Sequence, residues 1–518
     1  EGNQRSEVQL FGIQLQEEEK AFSETDVANL YAKLAHKFDK ENGGLGRAPK
    51  FPMPSLGLML LRYWSHTGEQ QALDQAILTL DKMAQGGIYD QIGGGFARYA
   101  VDDRWFAPHF EKMLYDNAQL LQLYSEAYIA TGRKDYKRVV TQTIDFLERE
   151  RRDESAGFYS ALDADSEGVE GKFYTWTSPE LKELLKDDYS LFAEYYQVAD
   201  GGNWEDGANI LHCVSGEQEF ASKKGMEVED FRQKLEEWRE TLMESRDYRI
   251  RPRLDDKILT SWNGLTITGL CSAYLAIGEW RFLNLAMDTA NFIEDNLTED
   301  GRLLHSFQRG EAHVQGYLED YASVIQGYIV LYQCCFEEQW LDKARGYAQY
   351  AIDHFYDKEE GLFFFTDDTG ENLIARKKEI FDSVVPSSNS MMASNLHLLG
   401  HLLGWEEAQK LSQLLMAQIR PMLQTEPQYL AYWASLQLDS LEPPIELCVV
   451  GGEYEIVAQQ LANSKYQPSR ILAGTSAHSE LPLLEGRIPL DGQTTIYVCR
   501  NKTCKLPVHT IDEALEQL

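Results

Sequence analysis

The stretch Gly86–Asn117, GGIYDQIGGGFARYAVDDRWFAPHFEKMLYDN, decides how the chain is read. It lies between two segments with ordinary amphipathic helix periodicity and crowds ionisable residues among glycines and aromatics. Glycine lets the backbone turn with positive φ and approach a ligand, while acids, bases and flat apolar rings are what a pocket mouth needs. The same design recurs: a helix ends at a glycine, an aromatic or aliphatic pair follows, then a polar loop, in SAGFYSALDADSEG (155–168), DGRLLHSFQRG (300–310) and EGLFFFTDDTG (360–370).

Between these corners the apolar spacing is helical. It starts after a plausible N-cap at Ser23 and predicts helices over 55–66, 69–85, 110–131, 134–152, 178–186, 228–247, 257–277, 280–297, 318–335, 339–356, 388–403 and 405–423, with strands nearly absent before residue 440. Gly87, Gly157, Gly301 and Gly361 are one, two and one helical-hairpin lengths apart, taking a hairpin as about 60–72 residues and allowing an insertion near 200–225. Paired helices so joined must stack to bury their apolar faces. Six pairs closed in a ring make a mainly α (α/α)6 toroid with its corners gathered at one end; an open superhelix would spread the corners along a ridge. Pro443-Pro444 mark a boundary. Beyond it, IELCVVGG, RILAG and TTIYVCR read as strands and EYEIVAQQLAN and TIDEALEQL as helices. The expected organisation is a linker tail over 1–22, the toroid over 23–442 and a small α/β appendage over 443–518.

A net charge of −34 over 518 residues opposes binding to nucleic acid or anionic membrane, and no run reaches the ~20 apolar residues of a membrane helix. Seven scattered cysteines do not describe a disulfide framework, so a reducing, cytoplasmic setting is expected, with Cys499 and Cys504 as a buried strand cysteine and a free thiol.

FARYAVDDRWFAPHFEKMLYDNAQL, SALDADSEGVEGKFYTW, DDKILTSWNGLTITGL, YLEDYA and YVCRNKTCKLPV together strongly resemble the thioredoxin-domain-containing family related to spermatogenesis-associated protein, over essentially the whole chain. The resemblance implies a six-hairpin-glycosidase toroid similar to the sugar 2-epimerases. It also implies an N-terminal thioredoxin-like domain, which these residues do not include. The expected activity is that of a sugar isomerase, epimerase or glycoside hydrolase working on a small carbohydrate in a toroid-centre pocket, without cofactor; the alternative is a non-catalytic sugar-binding or scaffold module for a thioredoxin-like redox domain.

Candidate catalytic residues come from the corners. His109 and Glu111, expected in the first turn of a helix, offer general acid and base chemistry; the competing reading is helix capping plus a Lys112–Asp116 surface ion pair. Asp163 and Asp165 sit in an alternating acidic loop that fails the calcium-loop pattern, since Tyr174 stands where a Glu is required. They read either as paired carboxylates for glycosyl chemistry or as a solvated turn. Asp255 and Asp256 precede a helix that they could simply cap. By similarity to the epimerases, a His would shuttle the proton, and His109 and His305 are the histidines of the repeated corners; Glu319, at the start of the helix after His305, continues the series of candidate acids. Substrate contacts are expected from Asp90, Arg98, Trp105, Tyr115, Asp116, Asn117, Trp204, Trp262, Asn263, Asp320 and Tyr321. No metal site is expected: His397 and His401 have a suitable spacing but no third ligand.

Overall fold

Helices whose apolar residues run all the way round must be enclosed by others, and helices with one apolar stripe must cover them. The chain alternates these two kinds. In the computed structural model, which describes residues 22–369, 376–501 and 503–518, striped α1 (Glu24–Ala35) precedes α2 (Pro54–Thr67), α3 (Gln70–Gln85) precedes the nearly wholly buried α4 (Leu114–Thr131), and α5 (Lys134–Arg151) follows. An inserted unit carries α6 (Ser178–Leu185), α7 (Tyr189–Tyr195), α8 (Glu217–Lys224) and α9 (Val228–Arg246). The alternation resumes with α10 (Thr260–Ile277), α11 (Trp280–Asn296), α12 (Leu318–Cys335), α13 (Gln339–His354), α14 (Ser388–Leu402), α15 (Glu406–Leu423) and α16 (Ala431–Asp439).

Helices α2, α4, α10, α12, α14 and α16 each pack on the next, and α16 returns to α2. That closed ring, sheathed by α3, α5, α11, α13, α15 and α1, is an (α/α)6 toroid. Glycines set its tightest contacts. A Cβ on Gly264 of α10 would lie 2.6 Å from the Ser323 carbonyl carbon of α12, and one on Gly269 would lie 2.4 Å from the Ala118 oxygen of α4. The first and last segments meet where Arg420 reaches Asp26 at 2.7 Å and Lys33 donates to the Gln424 carbonyl. Ser23 caps α1 as expected, in a reciprocal capping box with Asp26.

Three differences from the expected elements have local causes. Helix α4 begins at Leu114, because 108–113 run as two short strands, Pro108–His109 paired with Tyr99–Ala100 and Lys112–Met113 paired with Ala161–Leu162. His109 and Glu111 therefore stand on extended backbone. Residues 302–315 form a β-hairpin, with Arg302–Gln308 paired to Glu311–Gln315, and α16 occupies a segment read as a connection. The linker tail expected over 1–22 lies outside the described residues except for Phe22.

The inserted unit has its own core, including Trp176, Phe192, Tyr195, Phe231 and Trp238. After Pro444, a four-stranded sheet has the order 470–475, 445–450, 495–500, 503–504, its first pair parallel and the others antiparallel. A helix at Tyr454–Ser464 packs this sheet onto α10, with Gln459 Nε2 donating to the Leu275 carbonyl at 3.0 Å. Cys499 and Cys504 form a disulfide across the last two strands, not a buried cysteine beside a free thiol; the antiparallel register sets them directly opposite.

Candidate functional site

Each corner is tied to the start of an inner helix by one buried amide. Asn117 Oδ1 accepts from the Phe96 N–H at 2.7 Å while its Nδ2 donates to the Phe96 and Met113 carbonyls. Asn263 treats Phe158 and Leu259 in the same way, and Asn389 does so with Phe363 and Glu379. At α12 a tyrosine substitutes: the Tyr321 hydroxyl accepts from the Leu303 N–H at 3.1 Å. These clamps bring the Gly-aromatic corners to the N-terminal end of the inner ring. They also correct the expectation for Asn117, Asn263 and Tyr321, whose polar groups are committed to backbone and buried.

Around that end lie two groups of chemistry-bearing side chains. Tyr115 meets Trp262 edge-on with centroids 4.8 Å apart. Beside them, Arg98 lies 3.5 Å from Glu111, and His109 stacks on Tyr99 while its Nδ1 lies 2.8 Å from Glu170. Asp116 is buried next to Tyr115, and its Oδ2 has no hydrogen-bond partner. Burial, only partly offset by Arg98, pushes its carboxyl well above the usual range.

The second group is built on α12. Asp320, fully buried, accepts from Ser261 N–H and Tyr317 N–H and holds His305 Nδ1 at 2.9 Å. Burial alone would lower the pKa of this imidazole, but the bond to Asp320 and the nearby Glu319 outweigh it and raise the value. Glu319 is pushed up to about 7 by burial and by the charges of Asp320 and Glu379. Asp382, which accepts from Ser387 N–H at 3.0 Å and Tyr432 N–H at 2.8 Å, is likewise raised to about 7, mainly by burial. Two titrating carboxyls and an aspartate-held histidine thus gather where one corner and the 379–390 segment meet.

The remaining expected residues fall elsewhere. Asp90 is buried between Arg246 at 2.8 Å and Lys112 at 3.0 Å, a tie between toroid and inserted unit. That tie also takes Lys112 away from the expected pair with Asp116. Trp105 is completely buried and donates to the Asn42 carbonyl, and Trp204 packs against Phe110. Trp105 therefore presents no face to a ligand, while Trp204 is partly exposed. Asp163 and Asp165 are exposed around a tight hairpin that also carries Glu170, and Asp255 and Asp256 are half-exposed beside Lys257 and Gln308. Glu379 and Asp382 were missed. Their signal, two carboxyls three apart ahead of the PSSNS helix start, is indistinguishable in sequence from a capping loop.

Below this ring the toroid axis holds a cavity of about 160 Å³ lined by all six inner helices. Gln326, on its wall, lies seven residues along α12 from Glu319, about 10 Å at the helical rise. On its wall Arg62 bridges Glu126 at 3.1 Å and Asp439 at 3.3 Å. Tyr466 and Ser469 of the C-terminal segment bond to those same carboxylates at 2.8 Å each, closing the far end. Among the described residues, no group of three or more His, Cys, Asp or Glu is arranged to hold a metal ion, and no helix is long and apolar enough to cross a membrane.

No protein-family model matches the chain. Human spermatogenesis-associated protein 20 is 31% identical over 528 residues, an alignment covering 92% of this chain and 67% of that protein. The chain belongs to the spermatogenesis-associated protein 20 family. An uncharacterized Caenorhabditis elegans protein is 30% identical, with 96% of this chain and 73% of that one aligned. Among solved structures this family member is similar to a D-mannose isomerase (TM-score 0.46, 12% identity, 88% of this chain and 96% of that one) and to a Bacteroides thetaiotaomicron family 76 α-mannanase (TM-score 0.44, 10% identity, 88% and 90%). The fold assignment rests on the closed helical ring itself.

Proposed function

We propose that this protein acts on a small carbohydrate by proton transfer at the corner end of the toroid, as a sugar isomerase or epimerase. The observation that carries the reading is the His305–Asp320 pair with Glu319 beside it. Asp320 fixes the ring so that Nε2 is the free basic atom. Glu319, with a pKa of about 7, can hand over a proton near neutrality and take it back. In an open-chain aldose, His305 removes the proton from the carbon next to the carbonyl while Glu319 protonates the carbonyl oxygen, giving an enediol. Return of the proton to the carbonyl carbon, with the hydroxyl proton of the other enediol carbon passing to Glu319, gives the ketose; its return to the opposite face of the original carbon, with the proton on the former carbonyl oxygen going back to Glu319, gives the epimer. Tyr115 and Trp262 supply the rings against which the apolar side of a sugar stacks.

A second reading draws on the proximity of Glu319 and Glu379, whose charges oppose one another: two neighbouring carboxyls also serve glycoside hydrolysis. Incubation with aldoses, ketoses and disaccharides in D2O, followed by NMR, separates the two. Isomerisation places deuterium at the reacting carbon, whereas hydrolysis only releases new anomeric signals. Glu319→Gln is expected to lower turnover about 10²–10⁴-fold. Binding without turnover of any sugar would overturn the catalytic reading and favour a sugar-binding module serving a thioredoxin-like redox domain.

A further inference from the structure

A second cavity lies on the outside of the toroid. It is a cleft of about 470 Å³ between α5 and the inserted unit, walled by Lys137, Arg138 and Gln142 on one side and by Tyr196, Arg232 and Arg239 on the other. Ligand sites favour such junctions, and this volume falls within the ~300–1,000 Å³ they occupy. A dry cavity of ~150 Å³ holds the six carbons of benzene, so three times that volume accommodates roughly 18 non-hydrogen atoms.

Its charge is unlike that of the rest of the chain. Over the whole sequence, acids outnumber Lys and Arg by 83 to 49, yet the cleft is lined by as many cations as carboxylates, and most of the carboxylates are already engaged. Glu217, almost fully buried, is shared by Arg138 at 2.7 Å and Arg232 at 2.8 Å. Asp145 is held from outside the cleft by Arg281 at 2.8 Å, and Glu229 by Arg232 at 2.8 Å. Glu236 reaches one terminal nitrogen of Arg239 at 3.6 Å, which leaves the buried Nε–H of that arginine without an acceptor. A buried donor with no partner costs free energy that a bound acceptor would recover. Lys137, half-buried, makes no ion pair with a carboxylate among the described residues. Gln142 and the hydroxyl of Thr141 stand alongside for neutral polar groups.

We infer that this cleft is a second binding site, for a phosphate monoester of about sugar size, with Lys137 and Arg239 holding the phosphate and the neutral polar wall facing the hydroxylated part. A hexose phosphate has about 16 non-hydrogen atoms, within the limit set by the volume. The inference stands independently of the proposed reaction at the mouth.

The test is calorimetric titration of the intact protein at low ionic strength, where the Coulomb contribution is least screened, with glucose 6-phosphate, inorganic phosphate and glucose. Glucose 6-phosphate is expected to bind saturably and more tightly than phosphate, and glucose not to bind in the cleft. Arg239→Gln and Lys137→Gln should each weaken glucose 6-phosphate at least tenfold, while Glu319→Gln leaves it unchanged. Circular dichroism of the variants verifies their folding. Absence of saturable binding, equal affinity for phosphate alone, or affinity indifferent to both substitutions would overturn the assignment. Loss on Glu319→Gln instead would place the ligand at the mouth and refute the second site equally.

Discussion

Replacing Asn263 by Ala removes one of the amide clamps without touching any group proposed to react. Three hydrogen bonds disappear: Phe158 N–H to Oδ1 at 2.8 Å, and Nδ2 to the Phe158 and Leu259 carbonyls at 3.0 and 2.9 Å. Each is worth ~1 kcal/mol net, but the Phe158 N–H and C=O are left buried and unpaired, and each such group costs ~1–3 kcal/mol. The expected loss is about 3–5 kcal/mol. Because ~1.4 kcal/mol is a factor of ten, the Phe158 amide, followed by hydrogen exchange and mass spectrometry on the 155–162 peptide, should exchange at least a hundredfold faster. Asn117→Ala should do the same at Phe96 and Asn389→Ala at Phe363. An Asn263→Ala protein with unchanged exchange at Phe158, or one destabilised by less than about 1 kcal/mol in urea, would refute the idea that these amides position the corners.

Stability should fall as pH rises between about 4 and 7, because Asp382 and Glu319 keep their protons in the folded chain up to about 7 while the unfolded chain has released them. Urea midpoints for wild type and Asp382→Asn across that window should show the slope reduced in the variant, and an equal slope in both would contradict the assignment. Gly269→Ala forces a methyl to within 2.4 Å of the Ala118 carbonyl oxygen and should cost about 1–3 kcal/mol, seen as a lower thermal midpoint; an unchanged midpoint would mean that α4 and α10 are not pinned there. Reduction of Cys499–Cys504, which closes a loop of sequence separation 5, should lower the stability of the C-terminal sheet by about 2 kcal/mol, whereas Cys499→Ser/Cys504→Ser should respond to no reductant.

The helices were legible because burial writes a 3.6-residue period into sequence, and the recurrence of Gly-aromatic corners revealed how they pair. The ring was legible only as a count of hairpins; that α16 returns to α2 is a contact between segments nearly 400 residues apart. Site chemistry was partly readable. His305, Glu319 and Asp320 stand together because they share one corner and the helix after it. Trp105 and Asp90 looked equally promising, since sequence does not show that an indole N–H is spent on Asn42 or that Arg246 arrives from 156 residues away. Asn263 is expected from the sequence to bind substrate. The partner proved to be backbone, which no local pattern distinguishes from a sugar hydroxyl.

The pairing of α1 with the last turns of the ring has a consequence for synthesis. Asp26 meets Arg420 across a sequence separation of 394, and a ribosome adding ~5–20 residues per second needs roughly 20–80 s to deliver the second partner after the first. Throughout that interval the apolar stripe of α1, Val27, Leu30 and Leu34, has no completed ring to lie against. The nascent chain is therefore an open crescent with a sticky leading edge, and the period before closure is when a holding chaperone matters most to it.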